Sequence, residues 1–338
     1  VVSESISPEN VNLSRNTMSE VFGSIVRDLE EAIPLLPVTV SSAQTGRVTK
    51  GAAQALLGKA YLYWADLGND NTERFDKAAE YLGEVINSGV YTLEDDFEML
   101  YDFGVKNPPE SVFEIQQSNL FPSDWSWYEG IDGNGMVQLC GIRGLCEDHP
   151  DYQAGWGFNL PTQSLYEHYL DDDAYRRDAT IITVDELEQQ INDAGADCST
   201  IVDITQANPV DYTGYWQEKF CNYKNYQGNN VNGGDPNLTK DANIYAIRYA
   251  DVLLMMAEAL HRGSGSDGEA MGYIDIVRER AAGPGDNTGN FRTASDVMAQ
   301  EGWSLLDLIW YERRAEFAME GDRWFDLVRS GRATADLF

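Results

Sequence analysis

The apolar positions of this chain change rhythm twice. From Met18 to Ile33 they recur at helical spacing, with Met18, Phe22, Ile25, Leu29 and Ile33 on one face. Thr17 and Glu20 stand in capping-box spacing at the start, and Pro34 and Pro37 close the segment. The next run, KGAAQALLGKAYLYWADLG, is dense in small residues: Gly51, Ala52, Ala53, Ala55, Gly58 and Ala60. Small side chains let helices approach closely, so this helix is expected to pack on several sides. A third helix starts near Thr72, buries Phe75, Ala78, Ala79, Leu82 and Ile86, and ends at Gly89. Leu57, Gly58 and Tyr61 reproduce part of a tetratricopeptide (TPR) first helix, with Ala78 and Leu82 in the second; Gln54 holds its tryptophan position.

The helical rhythm returns near residue 240. NIYAIRYADVLLMMAEALHRG turns Leu253, Ala257 and Leu260 to one face, and GEAMGYIDIVRERAAG turns Ile274, Val277 and Ala281. In the last block, Glu312, Arg313, Arg314, Glu316 and Glu320 stand at spacings that allow pairing within a helix. Trp64, Trp310 and Trp324 fall in helical patterns and are expected in the core. The chain is therefore read as mainly α, with a TPR-like hairpin scaffold over residues 1–100 and 240–338.

Residues 101–239 differ: Gly, Asn, Asp, Tyr and Trp dominate. SVFEIQQ alternates like a strand, and TQSLYEHYLD reads as a short helix. A loop-rich segment of this length usually carries function. Its densest aromatic stretch is FPSDWSWYEGIDGNG at 121–135, with Trp125, Trp127 and Tyr128 beside Asp124, Asp132 and Asn134. Aromatic faces stack on the C–H faces of sugar rings, while Asp, Asn and Arg hydrogen-bond the hydroxyls. Rings in a loop also cover seams against a core, and the stretch alone leaves both readings open. In extended chain Trp125 and Trp127 share a side and Tyr128 faces away, so a joint platform requires a curled loop. Trp156, between glycines in GWGFNLPTQSL, reads as structural. Tyr212, Tyr215 and Trp216 either line a groove or pack a turn.

Composition narrows the functions. The chain has 338 residues, with 24 basic against 56 acidic, a net charge of -32. Such a surface repels nucleic acid and anionic membranes, and it disfavours anionic polysaccharides. No run of about 18 apolar residues occurs, and the polar start VVSESISPEN lacks the features of a signal peptide. With three histidines and no CxxC pair, a zinc site is not expected. Cys140 and Cys146 flank a five-residue loop and can close a small disulfide; Cys198 and Cys221 can form a second. No phosphate-binding loop, dinucleotide fingerprint, nucleophile elbow or zinc-protease motif is present, and no cofactor is implied. DGNG and DNTGN are read as turns rather than calcium loops. Asp95 with Asp96, and Asp171 to Asp173, are the carboxylate groupings a glycoside hydrolase would use. Among 56 acids such neighbours arise by chance.

The blocks GRVTKGAAQALLGKAYLYWAD, GWGFNLPTQSLYEHY with YRRDATI, YAIRYADVLLMMAEAL and ERRAEFAMEGDRWFDLVRSGRA occur in this order. Together they resemble the SusD/RagB family of Bacteroidetes, over nearly the whole chain. The resemblance implies a SusD-like fold, in which a helical scaffold carries a loop-rich glycan-binding part. It implies a non-catalytic lipoprotein, surface-exposed on the outer membrane, that passes glycan to a SusC-like TonB-dependent transporter. The scaffold is the side that faces this partner. Members extend further at both ends, so the chain is expected to be truncated at both, without its lipid anchor. The region of residues 121–150 is where members place aromatic contacts, which favours Trp125, Trp127, Tyr128 and Asp124, with Asn134 and Arg143 as hydrogen-bonding partners. A neutral glycan such as a β-glucan is the expected ligand. A TPR-type protein-docking module is the alternative, ahead of a glycoside hydrolase.

Overall fold

Thr17 starts the first helix as its spacing predicts: its hydroxyl accepts from the Glu20 amide at 3.3 Å, and the Glu20 carboxylate answers the Thr17 amide at 2.8 Å. This computed structural model describes residues 14–67, 71–102, 104–118, 120, 133–202, 212–224, 235, 237–238, 240–285 and 291–337. Helix α1 (Met18–Ala32) lies against α2 (Lys50–Leu67), which forms a hairpin with α3 (Thr72–Asn87). Leu29 and Ile33 of the predicted face pack onto the core, while Met18 and Ile25 remain exposed. In α2, a Cβ on Gly58 would stand 2.6 Å from Leu82 Cγ, so the hairpin closes at the glycine of the TPR-like motif.

The middle of the chain is more regular than its composition predicts. In order come β1 (Ser111–Ile115), α4 (Met136–Cys140), α5 (Gln163–Tyr166), α6 (Ala174–Asp178), β2 (Ile181–Thr183), α7 (Val184–Ala194) and β3 (Tyr215–Gln217). Then β4 (Ile244–Arg248) runs straight into α8 (Tyr249–Arg262). The strands form two antiparallel pairs, β1 with β4 and β2 with β3. Helix α9 (Asp267–Ala281) completes the second hairpin, followed by α10 (Ala294–Glu301), α11 (Leu305–Glu316), α12 (Arg323–Arg329) and α13 (Ala333–Leu337).

The two hairpins stack through α8. Val252, Met255 and Ala259 join the core made by α2 and α3. Leu253, Leu254 and Ala257 join a second core with α9, α10 and α11. A helix apolar on opposite faces is buried on both, and this one binds the scaffold together.

The charges of α11 do not pair within their own helix. Glu312 meets Arg176 at 3.0 Å and also Arg278; Glu316 meets Arg176, Arg248 and Arg280 at 3.2, 2.9 and 2.5 Å. Arg313 reaches Asp251 at 2.7 Å and Asp326 at 2.8 Å. The expectation of intrahelical pairs fails because α11 is buried, so its charges face other elements. Burial alone would raise the Glu316 pKa, but Arg280, Arg248 and Arg176 hold it below the usual carboxylate range.

Cysteine pairing also departs from expectation. The disulfide joins Cys146 to Cys198, while Cys140 and Cys221 are buried free thiols. The Cys146 amide donates to the Ile201 carbonyl at 2.9 Å and Leu145 bridges Val202, which brings these two segments side by side. Cys140 instead ends α4 facing the interior, where burial pushes its thiol up to about 11. Trp310 is buried as expected, but Trp324 is 56% exposed.

Candidate functional site

Five residues make too short a helix to stand alone, and α4 is completed from outside. The Gly155, Trp156, Gly157 and Phe158 amides donate to the carbonyls of Ile142, Gln138, Gly141 and Leu139, at 2.8 to 2.9 Å. This segment therefore satisfies carbonyls that a helix end leaves open. The approach is close. A Cβ on Gly155 would stand 2.5 Å from Gly141 Cα, and one on Gly157, at φ 68°, would stand 2.8 Å from Arg143 Cβ.

Those glycines determine where the rings go. With the backbone pressed onto α4, Trp156 and Phe158 are left 40% and 51% exposed. Their ring centroids are 6.0 Å apart at 83°, an edge-to-face pair on the surface. Arg143 is exposed beside Gly157. The reading of Trp156 as structural is corrected here: the flanking glycines are structural, and the ring between them is presented to solvent. Phe158 was not singled out, although the pattern GWGF already placed two rings in a glycine-bound loop.

Below the pair the base is polar and tied. Asn222 Nδ2 donates to Gln138 Oε1 at 3.1 Å, and Lys240 Nζ donates to Asn222 Oδ1 at 2.8 Å. Burial lowers the Lys240 ammonium to about 8. Asn134 belongs to this base and not to the surface. It is 2% exposed, its Nδ2 donates to the Ala242 carbonyl at 3.2 Å, and its Oδ1 accepts from the Met136 amide at 2.9 Å. Its carboxamide thus fastens the entry to α4, and it is removed from the candidate ligand contacts. Trp125, Trp127, Tyr128 and Asp124 lie outside the described residues.

Three members of the candidate carboxylate groupings are engaged in the fold. Asp96 accepts from the Tyr175 hydroxyl, Asp172 is paired with Arg278 and Arg292, each at 2.6 Å, and Asp173 with Arg176 at 2.8 Å. Trp216 is buried in a core cluster, and Tyr215, beside it in β3, stacks on Tyr166 with centroids 4.9 Å apart, so these rings pack a strand and not a turn. Among the described residues no group of three or more His, Cys, Asp or Glu is placed to hold a metal ion. No helix among them is long and apolar enough to cross a membrane.

Comparison with known proteins gives this arrangement a context. Residues 109–336 match the model of the SusD family. The chain belongs to that family. Residues 1–62 match a further model described as starch-binding associating with outer membrane. Among curated SusD-like proteins, P2 of Formosa agariphila is 29% identical over 325 residues, covering 94% of this chain and 57% of its own length. A SusD-like protein of Bacteroides ovatus is 26% identical, covering 93% and 51%. The chain thus spans just over half the length of these relatives. A solved laminarin binding SusD-like protein superposes with a TM-score of 0.76 and 31% identity, over 100% of this chain and 67% of that one. Surface glycan-binding protein A from Bacteroides thetaiotaomicron, solved in complex with laminarihexaose, gives 0.77 and 26%, over 95% and 63%. The mainly helical fold of the SusD family is thereby established for this chain.

Proposed function

We propose that this SusD-family chain captures a neutral β-glucan of the laminarin type at the cell surface, without covalent chemistry, and hands it to a SusC-like TonB-dependent transporter. The observation that carries the reading is the exposed Trp156–Phe158 pair beside Arg143, held on a hydrogen-bonded base. Flat rings offer stacking area to the apolar faces of glucose units, and the guanidinium offers donors to their hydroxyls. Two relatives of similar structure are described as binding laminarin or laminarihexaose. Gly133 leads directly into α4, so Trp125, Trp127, Tyr128 and Asp124 join the chain just ahead of this face and are proposed to extend it.

Stacking on a ring contributes about 1 to 3 kcal/mol, the scale known for bases on aromatic side chains. An open platform of this kind predicts dissociation constants of roughly micromolar to millimolar. Affinity electrophoresis through laminarin tests the reading: the wild-type chain is retarded, and a Trp156→Ala, Phe158→Ala variant runs freely. Unchanged retardation of the variant would remove the pair from the site. For the transporter, the supporting feature is on the scaffold. Met18, Val21 and Ile25 of α1, with Leu35 and Val38 beyond it, are exposed apolar residues.

A further inference from the structure

A cleft of about 860 Å³ opens between the α5 region and helices α11 to α13. Three guanidiniums line it, Arg314, Arg323 and Arg332, together with the carboxylates of Asp307 and Asp336. Asp336 of α13 serves two of them, Arg323 at 2.8 Å and Arg332 at 3.3 Å. Arg314 donates to the Ser164 carbonyl and hydroxyl, at 3.3 and 3.2 Å, and to His168 Nδ1 at 3.5 Å. No carboxylate among the described residues pairs with it. The Nη1 of Arg332 is buried and has no hydrogen-bond partner among them.

Neighbouring groups register the resulting potential. Burial and the Arg314 charge hold His168 down at about 3, so its ring is neutral. Burial lowers Arg323, and the charges of Arg314 and Arg332 lower it further. In a chain of net charge -32, three guanidiniums against two carboxylates leave a local excess of positive charge, which suits an anion. Guanidinium is the group best shaped to hold a carboxylate through two donors.

We infer that this cleft docks a partner polypeptide segment that carries an acidic side chain between apolar ones. Asp336 already shows the mode. A short helix seats its carboxylate between Arg323 and Arg332, with Leu337 also lining the cleft. The incoming carboxylate serves Arg314, while its apolar neighbours cover the exposed ring of Trp324 on the lining. Asp336 followed by Leu337 is itself such an acidic and apolar segment seated in the cleft, which is why a peptide is favoured over an acidic glycan.

Intrinsic tryptophan fluorescence reports on Trp324 during titration with acetyl-Leu-Asp-Leu-Phe-amide, its Asn counterpart, and digalacturonate. The Asp peptide saturates; the Asn peptide binds roughly tenfold more weakly or worse, as loss of about 1.4 kcal/mol requires. Arg314→Gln loses the Asp peptide to the same degree and retains laminarin binding and the wild-type melting profile, whereas Arg314→Lys keeps part of the peptide affinity. Equal binding of the two peptides, binding of digalacturonate alone, or no saturation by any probe up to about 10 mM overturns the inference.

Discussion

Glu316 accepts from Arg248 at 2.9 Å inside the molecule, although 68 residues separate them. Arg248 also meets Glu110 and Glu320, at 2.6 and 2.9 Å, and Arg176 of α6 reaches Glu316 from the middle segment. One carboxylate on α11 thus ties β4 and α6 to the scaffold. Removing one member of a buried ion pair costs about 3 to 5 kcal/mol, because the remaining charges stay buried. Glu316→Gln should therefore lower the urea midpoint strongly at an unchanged slope. A shift within about 0.5 kcal/mol, the range of surface substitutions, would show that the network does not hold the parts together.

The Cys146–Cys198 bridge closes a sequence separation of 52 residues in the middle of the chain. Loop-closure entropy for that length corresponds to about 4 kcal/mol. A Cys146→Ala, Cys198→Ala variant should melt well below the wild type. Mass spectrometry after alkylation of the native, unreduced chain should find Cys140 and Cys221 unmodified, and after denaturation only those two should label. Labelling of Cys146 in the unreduced chain would contradict the pairing.

Glu218 lines a recess of about 330 Å³ with Tyr152 and Tyr223, whose hydroxyls donate to its Oε1. Its Oε2 is buried without a hydrogen-bond partner among the described residues. Burial pushes this carboxyl up to about 7 from an ordinary 4.5. The folded chain then keeps a proton that the unfolded chain has released. The stability from Glu218 is full below pH 4.5 and is lost as pH rises through 7. Melting temperatures followed between those values should fall on this account, and Glu218→Gln should flatten the fall. The same slope in the variant would assign it to other groups.

The legible part of the fold is the local part. Thr17 with Glu20, Gly58 against Leu82 and the positive φ of Gly89 after α3 depend on residues near in sequence or on one hairpin. The cysteine pairing was not legible, because it depends on where Leu145 meets Val202. Nor were the partners of Arg313, since Asp251 lies 62 residues away and its approach follows from how α8 crosses α11. Of the candidate site residues, Arg143 is named only through the family resemblance; its exposure beside Gly157 follows from the fold. Asn134 was misplaced because a polar residue beside glycines reads as loop, while the fold uses it to fasten α4. Trp156 was misread for the converse reason: its glycines press the backbone inward, and that pressure turns the ring out.

The central claim is that a laminarin-type β-glucan stacks on Trp156 and Phe158. Isothermal titration of laminarin into the wild-type chain and the Trp156→Ala, Phe158→Ala variant tests it most directly, with circular dichroism confirming that both are folded. At about 1 to 3 kcal/mol per ring, the two rings together account for about 2 to 6 kcal/mol, so the account predicts that affinity falls at least about 30-fold. Laminarin affinity in the folded variant equal to that of the wild type would contradict it.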